Sequence, residues 1–299
     1  MNIFIAMFAA FLWGTTYAVT QDTLSGWPPL LLGVLRALPA GLLLLMIKPT
    51  WPQRGAWWLL LITGLFNIAI FFGCIFIMAL TLPSAISSVG MMSVPVFAML
   101  VQWFVMKQRL SLIQIVSGLV VVVFAGLLFN PETIVLNPIG LIAMIIGILC
   151  LICGSTLTQR LSQQVDWWCV LTWQLIFGGG VLALVMSLHA VFHPTLYRET
   201  IMHFSMPNLY GLLWVCVMNT VVAYACYVWA LQRLSVVEFT FAGVANPLAG
   251  VLCGVLMVNE SYTWGQYTLM AGMVIMSLVP QFVKYYRRKN NHDKFIPLS

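Results

Sequence analysis

The apolar runs of this chain are too long, and too poor in charge, for any fold that must keep water on its outside. Many reach the roughly 20 residues that a helix needs to cross ~30 Å of hydrocarbon. Charged residues make up 7% of the 299 positions and hydrophobic residues 62%, whereas ordinary soluble domains carry roughly 25% charge. No arrangement of so little charge covers a water-facing surface, so the surface must face lipid. The runs lack the ten-residue alternation of a membrane β-barrel. The expected fold is therefore an all-α polytopic membrane protein.

Hydropathy, turn and capping signals predict ten transmembrane helices: span 1 at 3–21, span 2 at 28–47, span 3 at 56–80, span 4 at 83–106 and span 5 at 111–129. Spans 6 to 10 follow at 138–159, 167–188, 207–230, 235–259 and 263–284. Pro28, Pro83, Pro138 and Pro207 stand at span starts, where a missing backbone N–H costs nothing. Trp27, Trp51, Trp57, Trp58, Trp167, Trp168, Trp264, Tyr285 and Tyr286 cluster at span ends, as interfacial belts do. The first span has no basic residue ahead of it and is followed at once by others, so it reads as a retained helix and not a cleaved signal peptide.

The basic residues orient the chain. With a cytoplasmic N-terminus, the inner loops hold Lys48, Arg54, Lys107, Arg109, Arg160 and Arg233, and the tail adds Lys284, Arg287, Arg288, Lys289 and Lys294. That is eleven of the 13 lysines and arginines, with Arg198 outside and Arg36 inside a span. The positive-inside rule expects this asymmetry. It predicts two cytoplasmic termini, a bacterial inner-membrane location, and a basic tail over 285–299 lying near anionic lipid. The net charge of +6 is then a topology signal, and no nucleic-acid partner is expected. The seven cysteines fall inside apolar spans and read as packing residues; no metal site and no cofactor is expected.

A weak internal repeat divides the chain. Asn67 and Asn219, Pro95 and Pro247, and Gln114 and Gln266 are each 152 residues apart. Five spans per half, an odd number, require the second half to lie inverted. The linkers agree: Lys107 and Arg109 follow span 4, whereas Glu260 follows span 9. Inverted repeats are common in secondary transporters, where alternating access takes place around a midplane site.

Together these residues resemble the EamA-like branch of the drug/metabolite transporter superfamily. The resemblance rests on Leu12-Trp13-Gly14, Leu35-Arg36-Ala37, Ala79-Leu80, Pro95 and the stretch from Pro247 to Glu260. It implies an EamA-like basket of two inverted five-helix repeats, at 3–129 and 138–284, around a central cavity that carries small metabolites such as amino acids. Two departures stand out. Gln108 holds the place that Glu260 holds in the second half, and no acid occurs between Met1 and Gln21, which argues against proton-driven efflux of cationic drugs.

Arg36 is the most informative residue. At 1.5 Å per residue it lies about 12 Å into span 2. An arginine at such depth costs at least ~2.5–3.5 kcal/mol on insertion scales, so it must face protein or a wet cavity. It either grips a substrate carboxylate or phosphate, or bonds carbonyls freed by kinks such as that at Pro39. Asn67 and Asn219 either line the cavity or bridge helices. Pro95 and Pro247 are expected helix kinks, each freeing the carbonyl four residues earlier, with Asn246 beside the second. Trp13, Tyr17 and Tyr224 offer aromatic faces, and Met91 an adaptable wall. Glu238 is a gate or proton candidate. The substrate-binding candidates are thus Arg36, Trp13, Tyr17, Asn67, Met91, Asn219, Tyr224 and Asn246. The expected function is export of small amphiphilic carboxylates, not enzymatic catalysis, with a lipid bilayer and a small-molecule substrate as partners and a homodimer possible. Multidrug efflux, passive facilitation, a membrane-embedded enzyme and a regulatory partner are the rival readings.

Overall fold

Every described element is helical, because a backbone in hydrocarbon must satisfy its own N–H and C=O groups. The structure, a computed structural model, describes residues 2–104, 107, 111–128, 136–161, 164–231 and 242–293. The helices are α1 (Asn2–Thr23), α2 (Pro29–Ile47), α3 (Trp57–Thr81), α4 (84–104), α5 (Leu112–Leu128) and α6 (Pro138–Leu161). They continue with α7 (Trp167–Phe192), α8 (Pro194–Met202), α9 (206–231), α10 (Ala245–Met257) and α11 (Trp264–Asp293). Among the described residues, seven helices (α1–α4, α6, α7 and α9) are long and apolar enough to cross a bilayer, and α5 and α10 are shorter apolar helices. The chain is an all-α integral membrane protein.

Three details differ from the sequence expectation. The short helix α8 fills what reads as loop between spans 7 and 8; its start is set by Pro194 at the first helical position, and Tyr197 anchors it by bonding His189 at 3.0 Å. Helix α11 runs on to Asp293, so the described start of the basic tail continues a helix. Pro247 falls in the first turn of α10, which begins at Ala245. A missing N–H has no helical partner to lose there, and Gly243 and Val244 form a turn between helical Ala242 and that start. Residues 235–241 of span 9, with Glu238, lie outside the described residues, as do Gln108, Arg109 and Arg233.

Pro95 is the second residue of the helical stretch Val94–Phe104. Just before it, Met91–Ser93 tighten into a 3₁₀ turn, and Ser93 Oγ donates to the Gly90 carbonyl at 2.7 Å. Helices α3 and α9 each contain a π-helical stretch, Leu65–Ile70 and Trp214–Val222. Asn67 lies in the first and Asn219 in the second, 152 residues apart.

Other features recur at the same interval. Lys107 (φ 51°) and Asn259 (φ 59°) are the two non-glycine residues with positive φ among those described. Gln114 Oε1 accepts the Ser111 N–H at 2.8 Å, and Gln266 Oε1 accepts the Thr263 N–H at 2.8 Å. Each satisfies an orphan donor at the start of the helix that follows.

Packing joins α2 to α7, α1 to α10, α3 to α6 and α5 to α11. Lipid tails are as apolar as leucine, so close packing and small residues supply the association instead. At Gly14 a Cβ would run into the Asn246 carbonyl and lie 2.8 Å from Ala249 Cβ. Helices α1 and α10 therefore cross at backbone contact, which only glycine permits. Apolar side chains such as Phe4, Met46, Trp58 and Leu119 point outward, toward lipid.

Candidate functional site

Arg36 is held in the middle of the bundle, 5% exposed. Its Nε donates to Thr220 Oγ1 at 3.0 Å, and its guanidinium carbon sits 4.3 Å from the Phe72 ring centroid and 5.9 Å from that of Phe76. Phe72 and Phe76 come from successive turns of α3, so both rings lie on the face beside the cation. Tyr17, Tyr224 and Cys216 complete its electrostatic surroundings.

Thr220 reaches Arg36 because α9 is wound as a π-helix there. Its hydroxyl donates to the Val215 carbonyl five residues back at 3.0 Å, while the same oxygen accepts from Arg36. Single-turn widenings of this kind are frequent at functional sites. The Nη groups of Arg36 have no hydrogen-bond partner among the described residues. No carboxylate pairs with it there either; the ion pair among those residues is Lys48–Asp166, 3.5 Å apart and exposed. The buried cation is thus anchored at its Nε.

Asn219, fully buried, organises the adjoining layer. Its Nδ2 donates to Thr16 Oγ1 at 2.7 Å, and Trp13 Nε1 donates to its backbone carbonyl at 2.9 Å. Trp214 Nε1 donates to Thr15 Oγ1 at 2.9 Å. The Trp13 ring lies 5.1 Å from Tyr224, edge on, and 5.0 Å from Tyr227. Helix α1 is therefore bonded to the π-helical turn of α9 directly beside Arg36. Arg36, Tyr17, Tyr224, Trp13 and Asn219 thus come together in one cluster.

The remaining candidates do not join it. Asn67 donates to Gln174 Oε1 at 3.1 Å and bridges α3 to α7. Met91 packs on the cluster around Met78, Leu82 and Met144. Asn246 sits at the α1–α10 crossing, its buried Oδ1 without a partner. Sequence reasoning missed Thr220, Phe72 and Phe76. The i, i+4 spacing of the two phenylalanines was visible, but nothing in the sequence says that they face Arg36.

A cavity of about 400 Å³ lies away from Arg36, at the end of the bundle where α1 ends and α2 begins. Trp27, Pro28, Pro29, Leu80 and Leu196 line it together with Gln21. Gln21 also donates to the Leu82 carbonyl from α1, and Asn208 donates to the Thr23 carbonyl at 2.6 Å. Both bonds join helices at this end of the bundle.

The model of the EamA-like transporter family matches residues 1–130 and again 138–279. Protein PecM of Dickeya dadantii is 28% identical over 287 residues, spanning 95% of this chain and 93% of its own. The uncharacterized inner membrane transporter YedA of Escherichia coli is 25% identical over 294 residues, 93% of this chain and 90% of its own. A solved crystal structure superposes with a TM-score of 0.62 at 15% identity, covering 94% of this chain and 96% of that one, a likeness of fold.

Proposed function

The chain belongs to the EamA-like transporter family, and from that premise we propose that it is a secondary carrier exporting small amphiphilic carboxylates. Arg36 carries the reading. A buried cation with no acidic partner among the described residues is expensive to keep, unless an anion arrives to share the site. Its Nε is fixed by Thr220, so the two Nη groups present a fork that suits a carboxylate. Tyr17, Tyr224 and the Phe72 and Phe76 rings supply apolar and aromatic surface for the rest of the molecule.

The carrier is read as two inverted five-helix halves that rock about this cluster. The 152-residue recurrence of the π-helical asparagines, the positive-φ turns and the helix caps supports that reading. The excess of basic residues in alternate loops supports cytoplasmic termini in a bacterial inner membrane, an orientation that sets the cavity beside Trp27 on the outer side. The relative YedA is named as an inner membrane transporter, which favours carriage over catalysis.

The test is a ligand-induced thermal shift on purified protein, screened across amino acids, other carboxylates, sugar phosphates and cationic drugs. Stabilisation by a carboxylate class, lost in a folded Arg36→Ala protein, supports the reading. Stabilisation by cationic drugs alone overturns it in favour of multidrug efflux.

A further inference from the structure

The linker between α10 and α11 does something the transport reading above does not use. Asn259, with φ 59°, turns the chain back so that the Glu260 N–H returns to the Gly254 carbonyl at 3.0 Å. Asparagine tolerates this left-handed conformation better than most residues. Gly254 leaves room for the fold-back, since a Cβ there would collide with the Glu260 carboxylate and approach Ser84 Cβ to 3.3 Å.

The carboxylate is thereby laid over the start of α4, in the other half of the chain. It accepts the Ser84 N–H and the Ala85 N–H at 3.2 Å. These are two of the orphan donors at a helix N-terminus, where the helix dipole favours negative charge. The Tyr262 hydroxyl donates to the same carboxylate at 2.8 Å. Ser84 Oγ reaches the Gly250 carbonyl at 3.2 Å, so α4 is fastened to α10 at this end. Burial, then the adjacent carboxylate, holds the Tyr262 phenol well above the usual tyrosine range, which keeps it a donor.

The other half carries the same left-handed turn at Lys107, and the next residue, 152 before Glu260, is Gln108. A carboxamide offers one acceptor oxygen and no charge, and hydrogen bonds to an ionised acceptor are roughly twice as strong as neutral ones. We propose that Glu260 is an ionic latch holding one gate of the carrier shut through Ser84 and Ala85. With the basic residues inside, the ionic latch is the outer one, and the resting carrier faces the cytoplasm. This inference does not depend on Arg36 binding a carboxylate.

The experiment reads which way the carrier faces. Ser87, fully buried one turn into α4, is replaced (Ser87→Cys) and labelled from outside in right-side-out vesicles with a membrane-impermeant maleimide. Labelling at position 87 is quantified by mass spectrometry with the native cysteines retained. Glu260→Gln is expected to raise the labelling rate at least fivefold, and Tyr262→Phe by a smaller factor. Rates within twofold of the parent in Glu260→Gln overturn the latch. Should Glu260→Gln fail to fold, unchanged labelling in Tyr262→Phe overturns it equally.

Discussion

Replacing Arg36 with methionine separates a substrate grip from an architectural strut. Removing the charge relieves the ~2.5–3.5 kcal/mol that insertion scales assign to a mid-bilayer arginine. It also forfeits the Thr220 bond, about 1.5–3 kcal/mol for a charged donor, and the stack on Phe72, about 2 kcal/mol when desolvated. These sides agree to within about 2 kcal/mol, and about 2–4 °C of melting temperature corresponds to each kcal/mol in a large domain. Arg36→Met is therefore expected to melt within about 8 °C of the parent. Binding behaves differently. A carboxylate bridging the two Nη groups loses two charge-assisted bonds of about 1.5–3 kcal/mol each, which is roughly 10²–10⁴-fold in affinity. Melting curves in detergent and counterflow in proteoliposomes measure the two quantities on one preparation. Transport of the stabilising carboxylate with an unchanged KM in Arg36→Met would refute the grip. A fall of more than ~10 °C, with transport retained by whatever protein stays folded, would make Arg36 a strut.

Three further outcomes follow from the same geometry. Thr220→Val keeps the side-chain shape but removes the acceptor for Arg36 Nε; it is expected to raise KM about tenfold, equivalent to ~1.4 kcal/mol, with Thr220→Ser restoring the parent value in the same uptake assay. Gly14→Ala puts a methyl against the Asn246 carbonyl and should lower stability by about 1–3 kcal/mol through overpacking, seen as a lower melting temperature. Lys48→Met removes the ion pair with Asp166, whose side chains are 58% and 49% exposed, and should shift stability by less than about 1 kcal/mol by the same measurement.

Some of the site was legible before any coordinates. Arg36 was conspicuous because an arginine within an apolar run needs a reason to be there, and Trp13 and Tyr17 pointed the same way because i, i+4 spacing puts them on one helix face. The pairing of Asn67 with Asn219 was visible as an interval, and both lie in widened π-helical turns. Their environments then diverge, since Asn67 meets Gln174 whereas Asn219 meets Thr16. Nothing local distinguishes the two asparagines; the neighbouring helix decides. Pro247 stands in the first turn of α10, where a proline costs no hydrogen bond, just after the turn at Gly243 and Val244.

What the sequence determined by itself is whatever follows from counting: scarce charge and long apolar runs force helices into lipid, and the lopsided lysines and arginines indicate which way they cross. These are properties of segments, fixed by the solvent each segment must enter. Which faces meet was decided only in three dimensions. Thr220, Phe72 and Phe76 surround Arg36 from two other helices, and Glu260 caps a helix 176 residues away in the chain. In lipid every apolar face is equally content with its solvent, so hydropathy carries no information about partners. Backbone contact at Gly14, the π-helical turns and a few long-range hydrogen bonds select them instead.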